Sequence, residues 1–202
     1  MTNKQVLLAK NHFLKTFKKT DDPVYLYLPR HVAMVEKWAQ NILSDYPQVN
    51  KNVLLSSVWL HDIGLLYWDK ETDHAVKSEA EAGRFLLEIG VAPDSIKAIA
   101  HCVRAHRGRD VQPNSLEAKI LAAADSASHL TDINYLIQMS EGQRDYTMGK
   151  LERDYRDVSI FPKLKKVLTP LYLAWKRLLL AYPDTVMEIS DRFKYENDKK
   201  GN

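Results

Sequence analysis

Apolar residues recur along the chain at three- and four-residue intervals and rarely alternate, so the pattern predicts an all-α fold of seven to nine helices. Val6, Ala9, Phe13 and Phe17 mark a first helix, with a break at Asp21-Asp22-Pro23. A second runs from about Pro29, a residue suited to a helix's first turn, to Ser44, with Val32, Val35, Ala39 and Ile42 on one stripe and Pro47 ending it. The third, from about Asn52 to Ile63, is apolar nearly all round and is therefore expected at the centre of the core. A polar loop from Trp68 to Asp73 leads to a fourth helix, His74 to Ile89, which stops at Gly90. Pro93 and Asp94 open a fifth that ends near His106-Arg107-Gly108.

Ser115 precedes a long helix expected from Leu116 to about Met139. Beyond Gly142 comes a further helix, then one that Pro170 should kink or divide, with Leu164, Leu168, Leu171, Trp175, Leu178 and Tyr182 on one face. A last short helix carries Val186, Ile189 and Phe193, and Glu196 to Asn202 reads as a frayed polar tail. The whole is expected to be a single domain of 202 residues, with the helices of 140–195 packed on the core as accessory elements.

Composition narrows the class. A 45% hydrophobic and 27% charged chain excludes wholesale disorder and a membrane-embedded body. The net charge of +3 is too small to indicate nucleic acid or an anionic membrane as a partner, and the basic cluster Lys163, Lys165 and Lys166 reads as the wet face of a helix. The N-terminal apolar run is only four residues before Lys10, far short of an export signal, which makes the cytoplasm the expected location. The single cysteine, Cys102, excludes an internal disulfide and a Cys-rich zinc site. Any metal must therefore use the seven histidines and the carboxylates.

Ionisable residues interrupt the apolar pattern at His31, at His61-Asp62 and at Asp125. Asp125 follows Ile120-Leu121-Ala122-Ala123-Ala124, where a buried carboxylate costs several kcal/mol unless it is paired or bound to a cation. These residues fall on three separate predicted helices that packing can bring together. Two imidazoles and two carboxylates leave coordination positions open for water and a substrate oxygen, a set that suits Mn²⁺, Fe²⁺, Co²⁺, Ni²⁺ or Mg²⁺ better than a closed zinc site.

In this order, His31, then Leu60-His61-Asp62-Ile63-Gly64, then His74 with Ser78 four residues on, then Ile99 to His106, then Ala124-Asp125, the chain resembles the HD-domain superfamily of metal-dependent phosphohydrolases over Leu28 to Leu130. The resemblance implies an HD-type helical bundle with a five-helix catalytic core in 28–130. It further implies a divalent metal on the residues matching His31, His61, Asp62 and Asp125, and hydrolysis of a phosphate ester or anhydride of a small molecule, such as a nucleotide. The metal would activate water and neutralise phosphoryl charge for in-line attack. The competing reading is a non-catalytic HD-fold module that senses a nucleotide or metal; the intact, open ligand set favours the enzyme.

Around that set, Asp69, Glu71 and Asp73 are candidates to orient water or protonate the leaving group, alongside Asp62 itself. Deoxynucleotide phosphatases of the superfamily place a Glu closer behind their His-Asp pair than Glu71 stands here. His74, Lys77, Arg104, His106 and Arg107 are candidates to bind the substrate phosphate, and Arg30 beside His31 could do the same or pair with a carboxylate. Some superfamily members use residues at the positions of His74 and His106 for a second metal. Here the adjacent His-His pair of the clearly dinuclear members is absent, Arg107 follows His106, and one metal per chain is expected, with His74 and His106 on the phosphate or its water. His101 is assigned to helix packing, His129 to the surroundings of Asp125, and His12 to the surface.

Overall fold

A computed structural model of the chain describes residues 1–19, 26–67 and 71–182. Nine α-helices and no strand are present among the described residues, as the periodicity requires. The chain forms two compact units, one of Met1–Ser128 and one that begins at His129.

The first unit starts with α1 (Asn3–Phe17), whose entry is fixed by a capping box. The Thr2 side chain accepts from the Gln5 backbone N–H, and the Gln5 side chain accepts from that of Thr2. Helix α2 (Leu28–Leu43) carries Pro29 in its first turn and buries Leu28, His31, Val32, Val35, Ala39 and Ile42. It ends at Leu43, four residues before Pro47, with Ser44 as its C-cap. Helix α3 (Lys51–Leu60) is capped by the Asn50 side chain and buries every residue from Val53 to Leu60. It packs against α1 and α2, the Phe13 and Trp59 rings meeting edge to face with centroids 5.7 Å apart.

Helix α3 stops three residues before the expected end at Ile63. His61 and Asp62 occupy the turn that follows, and a 3-10 helix (Ile63–Leu66) continues the chain. Helix α4 (His74–Glu88) is capped by Asp73 and ends before Gly90, which has a φ of 70°. Helix α5 (Pro93–Ala105) ends at His106, and Gly108 turns the chain with a φ of 56°. Helix α6 (Leu116–Leu130) is capped by the Ser115 hydroxyl, which accepts from the Ala118 N–H. Its Ile120 to Ala124 run is buried, so Asp125 sits at the end of an apolar stretch, as the sequence suggests.

The long helix expected to reach Met139 is two helices, α6 and α7 (Asn134–Ser140). The Asp132 carboxylate accepts from the Ile133 N–H at the break, the local competition for backbone donors that makes Asp a poor helix-interior residue. Helix α8 (Arg144–Val158) follows the turn at Gly142, which has a φ of 76°. Helix α9 (Pro162–Ala181) runs unbroken through Pro170, so that proline does not divide it. Pro170 lies on the exposed side of the helix. The buried face of α9 is Leu164, Leu168, Tyr172 and Leu179. Leu178, placed on that face by the sequence reading, points to solvent because the stripe follows steps of four, four and seven.

In the second unit the Tyr135 ring meets Trp175 edge to face, Tyr155 stacks on Tyr172 at 3.8 Å, and the Trp175 indole donates to the Leu130 carbonyl. Buried Asp154 accepts from the Tyr135 hydroxyl at 2.6 Å and from Lys150 at 3.1 Å. Lys150 also contacts His129 Nδ1 at 2.7 Å, so this nitrogen of His129 serves a buried network, a role its spacing from Asp125 did not suggest. The expected last helix at Val186, Ile189 and Phe193, the tail, the Asp21-Asp22-Pro23 break and Asp69 lie outside the described residues. No helix among the described residues is long and apolar enough to cross a membrane.

Candidate metal centre

Two helices and one turn deliver the four residues that the sequence singles out. His31 comes from the first turn of α2, His61 and Asp62 from the turn after α3, and Asp125 from α6. All four are buried. His31 Nε2 lies 3.2 Å from Asp125 Oδ1 and 3.5 Å from Asp62 Oδ2. His61 Nε2 lies 3.4 Å from Asp62 Oδ2 and 3.9 Å from Asp125 Oδ1.

The other oxygen of Asp62 has its own histidines. His74 Nε2 stands 3.3 Å and His106 Nε2 3.6 Å from Asp62 Oδ1, and the two nitrogens are 3.4 Å apart. Asp62 thus belongs both to a group with His31 and His61 and to a group with His74 and His106. Ligands 2.0–2.2 Å from a common cation in tetrahedral array lie roughly 3.3–3.6 Å from one another, which is the spacing found around both oxygens. His74 and His106, expected on the substrate, are therefore in ligand positions around Asp62.

Ring orientation tests whether a cation fits. His61 Nδ1 is 2.7 Å from the Val58 carbonyl and His106 Nδ1 is 2.7 Å from the Val103 carbonyl. A carbonyl only accepts, so each Nδ1 carries the hydrogen and each Nε2 presents a lone pair to the Asp62 side. The Ser128 hydroxyl gives its one hydrogen to the Asp125 carbonyl at 2.7 Å and so accepts from His31 Nδ1 at 3.1 Å, which aims His31 in the same way. Lone pairs of nitrogen facing carboxylate oxygens are mutually repulsive unless a cation or a proton lies between them. Fully buried His61 Nε2 has no hydrogen-bond partner at all. The donor set fits a divalent metal.

In the metal-free chain a proton takes part of that role. Burial alone would lower the His31 pKa, but the hydrogen bonds and charges of Asp125 and Asp62 raise it from 6.5 to about 10. Asp62 is held well below the usual carboxylate range: burial opposes this, and the neighbouring His61 and the hydrogen bonds of His31 and His74 outweigh it. His106, buried and beside His61 and His74, is pushed down to about 4 and keeps its lone pair.

A metal entering the first group must displace the His31 proton, so affinity rises with pH up to about 10, and binding at pH 7 is expected to release about one proton per ion. Calorimetric titration in two buffers of different ionisation enthalpy measures this directly; heats independent of buffer would remove His31 from the ligand set. The sign for folding is opposite. A raised histidine pKa contributes stability that is fully present below 6.5 and is lost as the pH climbs to about 10, so the metal-free protein should weaken on the alkaline side.

The remaining candidates separate clearly. Asp73 caps α4 through the Ala75 N–H at 2.9 Å and accepts from Arg107 Nη1 at 2.6 Å. The same Arg107 nitrogen lies 3.4 Å from His74 Nδ1. Arg104, expected on phosphate, forms ion pairs with Glu79 and Asp110. Lys77 is half-buried on α4 one turn after His74, while Glu71 and Arg30 are exposed. His101 accepts from the Asn114 N–H, a structural role as expected. His12 is not a simple surface residue: it binds Glu81 at 2.8 Å and stacks on Phe85.

One supporting contact escaped the sequence reading, and another joins two residues that it named. Ser128, one turn beyond Asp125, orients His31, and its only signal is a polar residue in a buried stretch. Gly64 donates its N–H to Ser78 Oγ at 2.8 Å, which ties the turn carrying Asp62 to α4.

An all-α core that brings histidines and aspartates together in the order His, His-Asp, Asp defines a class of helical metal-binding domains. Residues 30–129 match the family model of the HD domain. No curated protein and no solved structure matches the chain.

Proposed function

We propose that the protein is a metal-dependent phosphohydrolase that cleaves a phosphate ester or anhydride of a small molecule, with a nucleotide as one candidate. The observation that carries this reading is the convergence of the buried side chains of His31, His61, Asp62 and Asp125, whose ring nitrogens lie 3.2–3.9 Å from the carboxylate oxygens. These four side chains would hold one divalent ion tightly. Such an ion supplies Lewis-acid activation of water and neutralisation of phosphoryl charge. The protein's own contribution is positioning: Val58, Val103 and Ser128 fix three imidazoles, and Asp62 shares its charge between two histidine pairs. Arg107 stands where a guanidinium can meet phosphate oxygens near His74. The near-neutral charge of +3 supports a small phosphorylated substrate in preference to nucleic acid or a membrane surface, and a cytoplasmic location accords with it.

The test is a panel of nucleotides, sugar phosphates and pyrophosphates assayed after chelation and reloading with Mn²⁺, Co²⁺, Ni²⁺ or Mg²⁺. Metal-dependent phosphate release from at least one member is expected. Tight metal binding with no turnover of any member would favour the sensing module instead. Within an active assay, Asp69→Asn or Glu71→Gln is expected to lower kcat by about 10²–10⁴ without loss of metal if that carboxylate transfers a proton. Unchanged rates for both would leave the loop without a proton-transfer role.

A further inference from the structure

His74 differs from the other three histidines around Asp62 in what faces its Nδ1. His31, His61 and His106 each point Nδ1 at an oxygen that accepts, and in the neutral ring this leaves Nε2 without a hydrogen. His74 points Nδ1 at Arg107 Nη1, 3.4 Å away. A guanidinium has hydrogens to donate and no lone pair to offer, so His74 Nδ1 must accept. The hydrogen of the neutral ring then sits on Nε2, the atom 3.3 Å from Asp62 Oδ1 and 3.4 Å from His106 Nε2. There it can donate to either neighbour, and it occupies the space a cation would need.

Arg107 does not hold this position by chance of rotamer. Its Nη1 is 2.6 Å from Asp73 Oδ2, and Asp73 is itself fixed by capping α4 at the residue before His74. The guanidinium, the cap and the imidazole thus form one anchored unit at the N-terminus of α4. The fixed positive charge acts in the same direction as the tautomer, since it lies behind the ring that a second cation would have to bind.

We infer that Arg107 is a positioning residue that holds His74 in the tautomer unable to ligate a cation, and thereby keeps the Asp62–His74–His106 position weak beside the four-ligand site. The inference rests on the reading of His31, His61, Asp62 and Asp125 as the resident metal site. Outer partners that set a ligand's tautomer change metal affinity by about 10–100-fold, and here the partner sets the wrong one, so its removal strengthens binding.

The experiment titrates the chelated full chain with Mn²⁺ alone and follows free Mn²⁺ by electron paramagnetic resonance. The wild-type protein, Arg107→Met, His74→Ala and the double variant are compared. One tight ion is expected in all four. Arg107→Met should bind a second ion at least about tenfold more tightly than the wild type and show the exchange-broadened signal of two neighbouring Mn²⁺ ions. The gain should vanish in the double variant, which ties it to His74. Nitrogen-15 spectra of the metal-free wild type at pH 8 should show the His74 hydrogen on Nε2; a hydrogen on Nδ1 would overturn the inference regardless of how the variants fold. Loss of the tight ion in the wild type would condemn the underlying site reading, whereas a retained tight ion with unchanged second-site affinity in Arg107→Met overturns the Arg107 assignment alone.

Discussion

Asp62→Asn is expected to remove metal from the tight site and from the weaker position together, while the protein stays folded. Asp62 faces His31 and His61 with one oxygen and His74 and His106 with the other, and it is the one residue common to both groups. Asparagine keeps the volume of this buried side chain but cannot offset a divalent charge. Affinity at the four-ligand site should fall by more than the roughly hundredfold that loss of an outer partner causes. Turnover should drop by about 10³ or more, because several kcal/mol of charge stabilisation are lost and each 1.36 kcal/mol is tenfold in rate. Asp125→Asn is the control, since its Oδ1 faces His31 and His61, and the change should leave the His74 position able to bind. Metal analysis with circular dichroism decides the matter, and full occupancy in Asp62→Asn would exclude Asp62 as a ligand.

The second large effect is expected from Gly64→Ala, a change of one methyl group outside the ligand set. A Cβ at Gly64 would press into the His74 backbone carbonyl and stand 2.7 Å from the Ser78 nitrogen and 2.8 Å from its hydroxyl. The nearest obstacles are backbone, so a rotamer change cannot relieve them, and the start of α4 must move away from the turn that holds Asp62. Overpacking of this kind costs about 1–3 kcal/mol, which corresponds to a fall in Tm of roughly 2–4 °C for each kcal/mol in a chain of this size. The Gly64 N–H to Ser78 bond is lost with the displacement, and His74 is carried away from Asp62. Thermal unfolding and second-site Mn²⁺ affinity should both decline, with the four-ligand site less affected. An unchanged Tm would show that the contact yields without strain.

How far the sequence foretold this arrangement depends on the range of the interactions involved. Helical periodicity located α1, α2, α4 and α5 because each has one dominant apolar face, and the uniform apolarity of Val53 to Leu60 marked α3 as central. It failed at Thr131 to Ile133, where a side-chain acceptor interrupts a pattern that remains periodic on both sides, and at Leu178, where a stripe drifts around α9. The ordered set from His31 to Asp125 was legible because buried charge stands out against alanine and leucine. What could not be read was which nitrogen of each ring faces inward. That choice depends on Val58, Val103 and Ser128 oxygens and on Arg107, which are ordinary residues until the turns bring them within 3.4 Å. The same limit hid the sharing of Asp62 between His31 and His61 on one oxygen and His74 and His106 on the other.

His61 and His106 share a further property. Each follows directly on the last helical residue, of α3 and of α5, and each gives its Nδ1 hydrogen to the carbonyl three residues earlier. Those carbonyls belong to the final turn, where a helix leaves acceptors without internal donors. The imidazole therefore closes the helix and turns its Nε2 toward Asp62 in one act. Because the acceptor is backbone, the side chains at Val58 and Val103 can vary in shape without turning either ring, so the hydrophobic interior is free to drift in sequence while the coordination angle is inherited from helix winding. The converse is a built-in sensitivity: unwinding of a single terminal turn would cast loose a ligand long before the core itself melts, and metal release would then report local fraying of α3 or α5 ahead of global unfolding.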